Sequence, residues 1–267
     1  VIEESPSLAV SPDLRRRITS AAASVARQVG YTNAGTIECL LDDDGSFYFL
    51  EMNTRLQVEH PVTEMVSGVD LVHWQIRIAR GERLTLDPEA LLVPRGHAIE
   101  CRIYAEDPDH GFLPSPGRIL KLRVPQGPGV RDDSGATEGL DVPIFYDPMI
   151  SKLIAWGDDR TQAIARLRRA LREYEVHGIK TTLPFFRWAL EDPDFLAGRF
   201  DTTFIDRKLA ERDGAPFDPS SDDDDTLAAI AAALHQVLGG QGAAQVGAAP
   251  ATPPSRWRQQ ARVEGLS

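Results

Sequence analysis

Glu51, Asn53, Arg55, Gln57 and Glu59 recur at every second position, and here residue type and spacing together suggest chemistry. Successive side chains of an extended chain point to opposite faces. To the extent that 51–59 is extended, all five share one side, with Met52, Leu56 and Val58 on the other. Glu38 joins them if the apolar runs 35–41 and 46–52 form a hairpin around Asp42-Asp43-Asp44-Gly45. With a loop of residues 43–46, residue 42 pairs with 47 and Glu38 faces Glu51. Cross-strand neighbours have Cβ atoms roughly 5 Å apart. Two carboxylates at that spacing repel, and a divalent cation between them removes the conflict. Oxygen ligation by Glu38, Glu51 and the Asn53 carbonyl suits magnesium or manganese, which combine a few carboxylates with substrate phosphates. A nucleoside triphosphate or similar polyphosphate is then the implied partner. Arg55 offers a permanently charged planar fork to a carboxylate-like anion. Gln57 supplies neutral hydrogen bonds, and Glu59 is placed to be a general base beside a bound oxyanion.

The competing interpretation is a solvated polar face, since alternating charges often mark an exposed strand. Two features weigh against it. Asn53-Thr54-Arg55 is poor strand material. The preceding Phe47-Tyr48-Phe49-Leu50 is apolar on both faces and is expected to be buried, where a following Glu is costly unless paired or metal-bound. The acidic run at 42–44 reads as a turn, because it lacks the spaced ligands and distal Glu of a calcium loop.

The elements around this stretch have their own signals. Residues 12–30 read as a helix, with Ser11 as cap, Pro12 at the first position, a stripe of Leu14, Ile18, Ala21, Val25 and Val29, and Gly30 as stop. A polar extended stretch runs from Asn53 to His60, and Asp70 to Arg80 reads as a helix closed by Gly81. From about Gly96, short strands at 97–104, 117–124 and 150–156 alternate with Pro/Gly turns. An amphipathic helix at 159–176 carries Ala163, Ile164, Leu167, Ala170, Leu171 and Tyr174 on one side, and shorter helices follow near 183–191 and 202–210. Beyond them come an acidic run at 222–225, an Ala/Leu-rich helical stretch at 226–238 and a Gly/Ala/Pro-rich linker at 239–255. The expected class is α/β (α+β).

The 267 residues carry a formal net charge of -11, which argues against nonspecific nucleic-acid binding. Cys39 and Cys101 give no disulfide framework and read as two buried thiols. No apolar run approaches the roughly 20 residues of a membrane-spanning helix. His60 is expected to make a structural hydrogen bond, and the other histidines show no metal-ligand pairing.

Gly35-Thr36-Ile37-Glu38 and the run from Phe47 through Glu64, including EMNTRLQVEHPVTE, resemble the ATP-grasp signature of biotin-dependent carboxylases. The likeness continues through His97–Pro108, the FLPSPG of 112–117, Tyr146–Leu153 and Gly178–Thr181, and covers roughly residues 1–210. It implies the carboxyl-terminal half of an ATP-grasp domain at 1–84, a biotin carboxylase carboxyl-terminal domain at 95–209 and a tail at 210–267. The amino-terminal half, with its Gly-rich phosphate lid and ATP-binding lysines, would lie upstream of Val1.

By position, the resemblance assigns Glu38, Glu51 and Asn53 to two Mg2+ or Mn2+ ions, and Glu38, Leu40 and Glu51 to ATP. Arg55, Gln57 and the backbone of Val58 would hold bicarbonate, and Glu59 would deprotonate it for attack on the γ-phosphate, giving carboxyphosphate. Arg102 would stabilise the biotin enolate, in an oxyanion-hole role. Asp147 is a candidate to orient Arg102, against a plain turn role beside Pro148. No Met-Lys biotinylation motif occurs, so biotin would be carried by another domain or subunit. A carboxyltransferase partner, a homodimer and a cytoplasmic setting (mitochondrial matrix in a eukaryote) complete the expectation. Its finer form is the first half-reaction of an acetyl- or propionyl-CoA carboxylase, with the chain inactive alone. Two alternatives stay open: an ATP-grasp ligase of the carbamoyl-phosphate type, and a non-catalytic packing or dimer-contact module.

Overall fold

The computed structural model describes residues 1–218, 226 and 229–234. Val1–Asp218 form one compact unit. Residues 226 and 229–234 are helical, whereas the expected acidic run at 222–225 and linker at 239–255 lie outside the described residues.

The scaffold is a four-stranded antiparallel sheet in the order β1 (Ile2–Ser5), β4 (His97–Tyr104), β11 (Met149–Gly157), β9 (Val130–Ser134). Both faces are covered, which explains why β4 and β11 read as apolar runs with few interruptions. On one face lies α5 (Arg160–Glu173), capped by the Asp159 carboxylate accepting from Gln162 N. All six residues of its expected apolar stripe are buried, Tyr174 lying just past its end. They form the main core with Ile99, Cys101, Ile103 and Leu153 of the sheet. Onto this side pack α6 (Leu183–Ala189), α7 (Pro193–Leu196) and α8 (Phe204–Glu211), which bring Phe186, Phe195 and Phe204 into the same core.

The opposite face is covered by α2 (His60–Ser67), which packs over β1, β4 and β11. There Val62 and Val66 meet Ala98 and Ile154. This helix stands where the sequence reading has only an extended stretch running into His60. Its signals are present in the chain: Pro61 in the first turn and Gly68 with φ +72 as the left-handed stop.

Away from the sheet, α1 (Pro12–Gln28) precedes a hairpin of β2 (Thr36–Leu41) and β3 (Phe47–Asn53). The helices α3 (Leu71–Ala79) and α4 (Pro88–Leu91) follow. Only Leu14 of the α1 stripe is buried, and Val29 is exposed. Tyr48, Phe49 and Leu50, expected to be buried, are also exposed. The hairpin residues are exposed because, among the described residues, the hairpin pairs with no further strand. Cys39 is half-buried and only Cys101 is buried.

The expected strand at 117–124 is two, β7 (Gly117–Arg118) and β8 (Lys121–Arg123), because its halves have different partners. β7 pairs with β10 (Asp141–Val142), and β8 with β12 (Glu175–His177).

Candidate active site

The hairpin sets Glu38 opposite Glu51, as expected, but by a different route. The ladder closes one residue earlier, with Leu41 opposite Phe47 and Asp42 N donating to Ser46 O. A bulge then places Cys39 opposite Phe49 and Glu38 opposite Glu51, leaving Leu50 as the extra residue. The longer turn and the bulge offset each other, so the glutamate pairing survives.

Asn53 lies between the two carboxylates. Its Nδ2 donates to Glu38 Oε1 at 2.8 Å and to Glu51 Oε1 at 2.9 Å, and Gln57 Nε2 donates to Glu38 Oε1 at 2.9 Å. A side-chain N–H2 between two carboxylates marks where positive charge is wanted. A half-turn of the amide presents its carbonyl instead, giving three oxygen donors on two strands. Glu51 is exposed and Glu38 half-buried, so there is room for phosphate oxygens and water. This donor set fits a hard divalent cation. Leu40 and its partner Tyr48 are exposed on the same hairpin face, next along from Glu38.

The extended face does not continue to residue 59. β3 ends at Asn53, and Glu59 is the residue that starts α2. The cause is local: poor strand formers at 53–55 are followed by a proline that favours a helix start. The bend divides the expected row. Gln57 returns to Glu38, whereas Glu59 turns to the sheet and accepts from Arg102 Nη2 at 2.9 Å. Arg55 is exposed, and its Nη1 donates to Leu56 O at 3.2 Å. It lines, with Gly35, Gln57, Glu59 and His60, a cleft of about 510 Å³. Val58 offers its carbonyl to Lys152 Nζ at 3.2 Å. His60 Nδ1 lies 2.8 Å from Gln57 O, the structural bond expected of it.

Arg102 is held by residues far apart in sequence. The same Nη2 donates to Glu3 Oε1 of β1 at 3.0 Å. Burial works against the Arg102 charge, but Glu3, Tyr104 and Glu59 outweigh it and raise its pKa. Asp147 does not orient Arg102. Its Oδ1 accepts from Met149 N at 2.9 Å, a turn bond in which the short Asp side chain mimics backbone.

Three charged residues of this region escape the sequence reading. Glu3 sits on a four-residue strand with no pattern of its own. Glu100 and Lys152 carry the same signal as Glu51, a charge inside an apolar strand run. Among the described residues no cluster of three or more His, Cys, Asp or Glu is arranged for a metal, and no helix is long and apolar enough to cross a membrane.

Residues 1–87 match the family described as "Carbamoyl-phosphate synthase L chain, ATP binding domain", and residues 100–207 match "Biotin carboxylase C-terminal domain". The chain is 55% identical over 205 residues to a biotin carboxylase of Nostoc sp., covering 77% of this chain and 46% of that protein. It is 49% identical over 207 residues to biotin carboxylase 1 of Bacillus subtilis, covering 77% and 46%. The biotin carboxylase domain dimer of Hydrogenobacter thermophilus 2-oxoglutarate carboxylase, solved with MgADP, ADP and bicarbonate, superposes with a TM-score of 0.78. It is 43% identical, over 83% of this chain and 48% of that one. The chain thus spans a little under half the length of these relatives.

Proposed function

Since this chain belongs to the biotin carboxylase family of ATP-grasp ligases, we propose that its full-length protein carboxylates biotin with bicarbonate at the expense of ATP, through carboxyphosphate. The observation that carries the reading is the Glu59–Arg102 pair at 2.9 Å, which joins the segment matching the ATP-binding family to the segment matching the biotin carboxylase C-terminal domain. An acid–base carboxylate and a charge-stabilising guanidinium in contact suit a reaction that first deprotonates bicarbonate and then stabilises an oxyanion on the acceptor.

Glu38, Glu51 and Asn53 would hold Mg2+ or Mn2+, which would neutralise phosphate charge during transfer. Leu40, exposed beside them, would meet the adenine. Arg55 and Gln57, which line the same cleft as Glu59, would bind bicarbonate together with the backbone of Val58. Glu59 would take the bicarbonate proton, and the resulting oxyanion would attack the γ-phosphate, releasing ADP. Carboxyphosphate would break down to carbon dioxide and phosphate. The phosphate would take the ureido N–H proton of biotin, with Arg102 facing the developing oxyanion, and that nitrogen would then bond to the carbon of carbon dioxide.

The exposed apolar hairpin supports a division in which 1–84 is completed by further ATP-grasp residues of the full-length protein and 95–209 is the second module. A biotin carrier domain or protein, a carboxyltransferase, homodimerisation and a cytoplasmic or mitochondrial-matrix setting belong to the same proposal. So does an acyl-CoA such as acetyl- or propionyl-CoA as the final acceptor.

The test is bicarbonate-dependent ATP cleavage and carboxylation of free biotin. The full-length protein should turn over, and residues 1–267 alone should not. Arg102→Ala in the full-length protein should lower biotin carboxylation at least tenfold more than ATP cleavage, about 1.4 kcal/mol of selective transition-state loss. Equal losses would remove the oxyanion role. Biotin-independent carbamoyl phosphate synthesis would replace this reading with the carbamoyl-phosphate alternative.

A further inference from the structure

Glu100 lies at the centre of the sheet face that carries Arg102, and the proposed reaction makes no use of it. It is fully buried, and neither carboxylate oxygen has a hydrogen-bond partner. Among the described residues, the other buried side-chain polar atoms in that position are Arg102 Nε and Arg168 Nε. Glu100 and Arg102 are two residues apart on β4 and therefore share a face. A buried acceptor without a donor thus stands beside a buried donor without an acceptor. Leaving either unmet is costly, and for a carboxylate the cost is largest when it is ionised.

We propose that Glu100 is a positioning residue for Arg102, its carboxyl and the Arg102 Nε–H being two halves of one interaction that stays open while Glu100 carries a proton and closes when it loses it. The proposal rests on the reading of Arg102 as the group that meets the acceptor oxyanion. In the structure Arg102 reaches forward through Nη2 to Glu59 and Glu3, the arrangement the proposal assigns to protonated Glu100. Once ionised, Glu100 has an unpartnered N–H on its own strand to draw on, and closing that bond pulls the guanidinium back from Glu59.

The surrounding charges set where this happens. β1 contributes Glu3, directly opposite Glu100, and β11 contributes Lys152, diagonal to it and opposite Arg102. β9 contributes Asp133, opposite Lys152, and Arg131, which is committed to Asp133 and Glu64. α2 and its first residue contribute Glu59, His60 and Glu64. Burial pushes Glu100 up to about 7, Lys152 and Arg102 acting against the rise and Glu3 and Glu59 adding to it. The change therefore falls near neutral pH.

The experiment follows Glu100→Gln in the full-length protein, together with the 15N resonance of Arg102 Nε, assigned by its loss in Arg102→Lys. In the wild type that resonance should shift with a midpoint near pH 7. In Glu100→Gln it should not shift. The ratio of free-biotin carboxylation to bicarbonate-dependent ATP cleavage should fall about tenfold across that midpoint in the wild type, about 1.4 kcal/mol. In Glu100→Gln it should stay level. A wild-type Nε resonance that does not move through neutral pH overturns the proposal, whether or not Glu100→Gln folds and whether or not the protein carboxylates biotin. Identical pH profiles of the ratio in the two proteins overturn it as well. A moving resonance in a protein that leaves biotin untouched would keep the Glu100–Arg102 coupling and remove the catalytic reading beneath it.

Discussion

Glu51 is the residue whose change separates a cation site from a polar surface. In Glu51→Gln the side chain keeps its shape and its acceptor toward Asn53 but loses its charge, while Glu38 keeps its own bonds from Asn53 and Gln57. Fold stability should hold within about 0.5 kcal/mol, because the side chain is exposed. Manganese affinity, followed by electron paramagnetic resonance in the full-length protein, should fall at least tenfold, about 1.4 kcal/mol. An unchanged affinity would mean that Glu51 only decorates the surface. At this scale the sequence was most informative through the hairpin pairing and the alternation of polar residues along one strand. Glu38, Glu51, Asn53 and Gln57 come together as read. Glu3 was not legible, since its partner Arg102 lies 99 residues away. Arg55, expected on one face with the glutamates, instead lines a cleft beside them, because alternation cannot foresee where a strand stops.

The β2–β3 hairpin turns that limit into an experiment. Its register depends on two local irregularities that cancel, a longer turn and the bulge at Leu50. Deleting Leu50 should leave Glu38 opposite Glu51 on a regular ladder and preserve manganese binding. Deleting Met52 should instead bring Asn53 opposite Ile37, on the other face, and abolish it. The two deletions remove one apolar residue each from the same strand, so a general loss of stability would not separate them. Elements with strong periodicity, such as α5, were legible to within a few residues because their stripe is buried as a unit. The short helix α2 is hard to see in sequence because its turn signals, Pro61 and Gly68, bracket a run without a clear helical stripe. The run 117–124 is continuous in sequence but changes partner midway, which no local signal records.

In the molecule as a whole, the edge strand β1 ties the two covered faces together. Its neighbouring glutamates look to opposite layers: Glu3 toward Arg102, and Glu4 toward His97 and Arg160 beside the main core. Burial acts to raise the Glu4 pKa, but the bonds from His97 and Arg160 outweigh it and hold it below 4.5. The unfolded state then binds the proton more readily, so stability from Glu4 is full above about pH 4.5 and is lost as pH falls through its folded pKa. Glu4→Gln should cost roughly 3–5 kcal/mol at neutral pH, since it leaves Arg160 without its buried carboxylate. It should also shrink the acid-induced loss, and chemical denaturation at several pH values reads both effects. The pairing of β1 with β4 has a geometric consequence. Ser5 lies opposite Ala98, so the long excursion between them departs from and returns to adjacent rungs of the same ladder. Glu59 travels on that excursion and Glu3 stays on the ladder, yet both end on one nitrogen of Arg102. A tilt of the excursion would change the Glu59 distance and spare the Glu3 distance, so the two bonds on Arg102 report separately on the excursion and on the ladder.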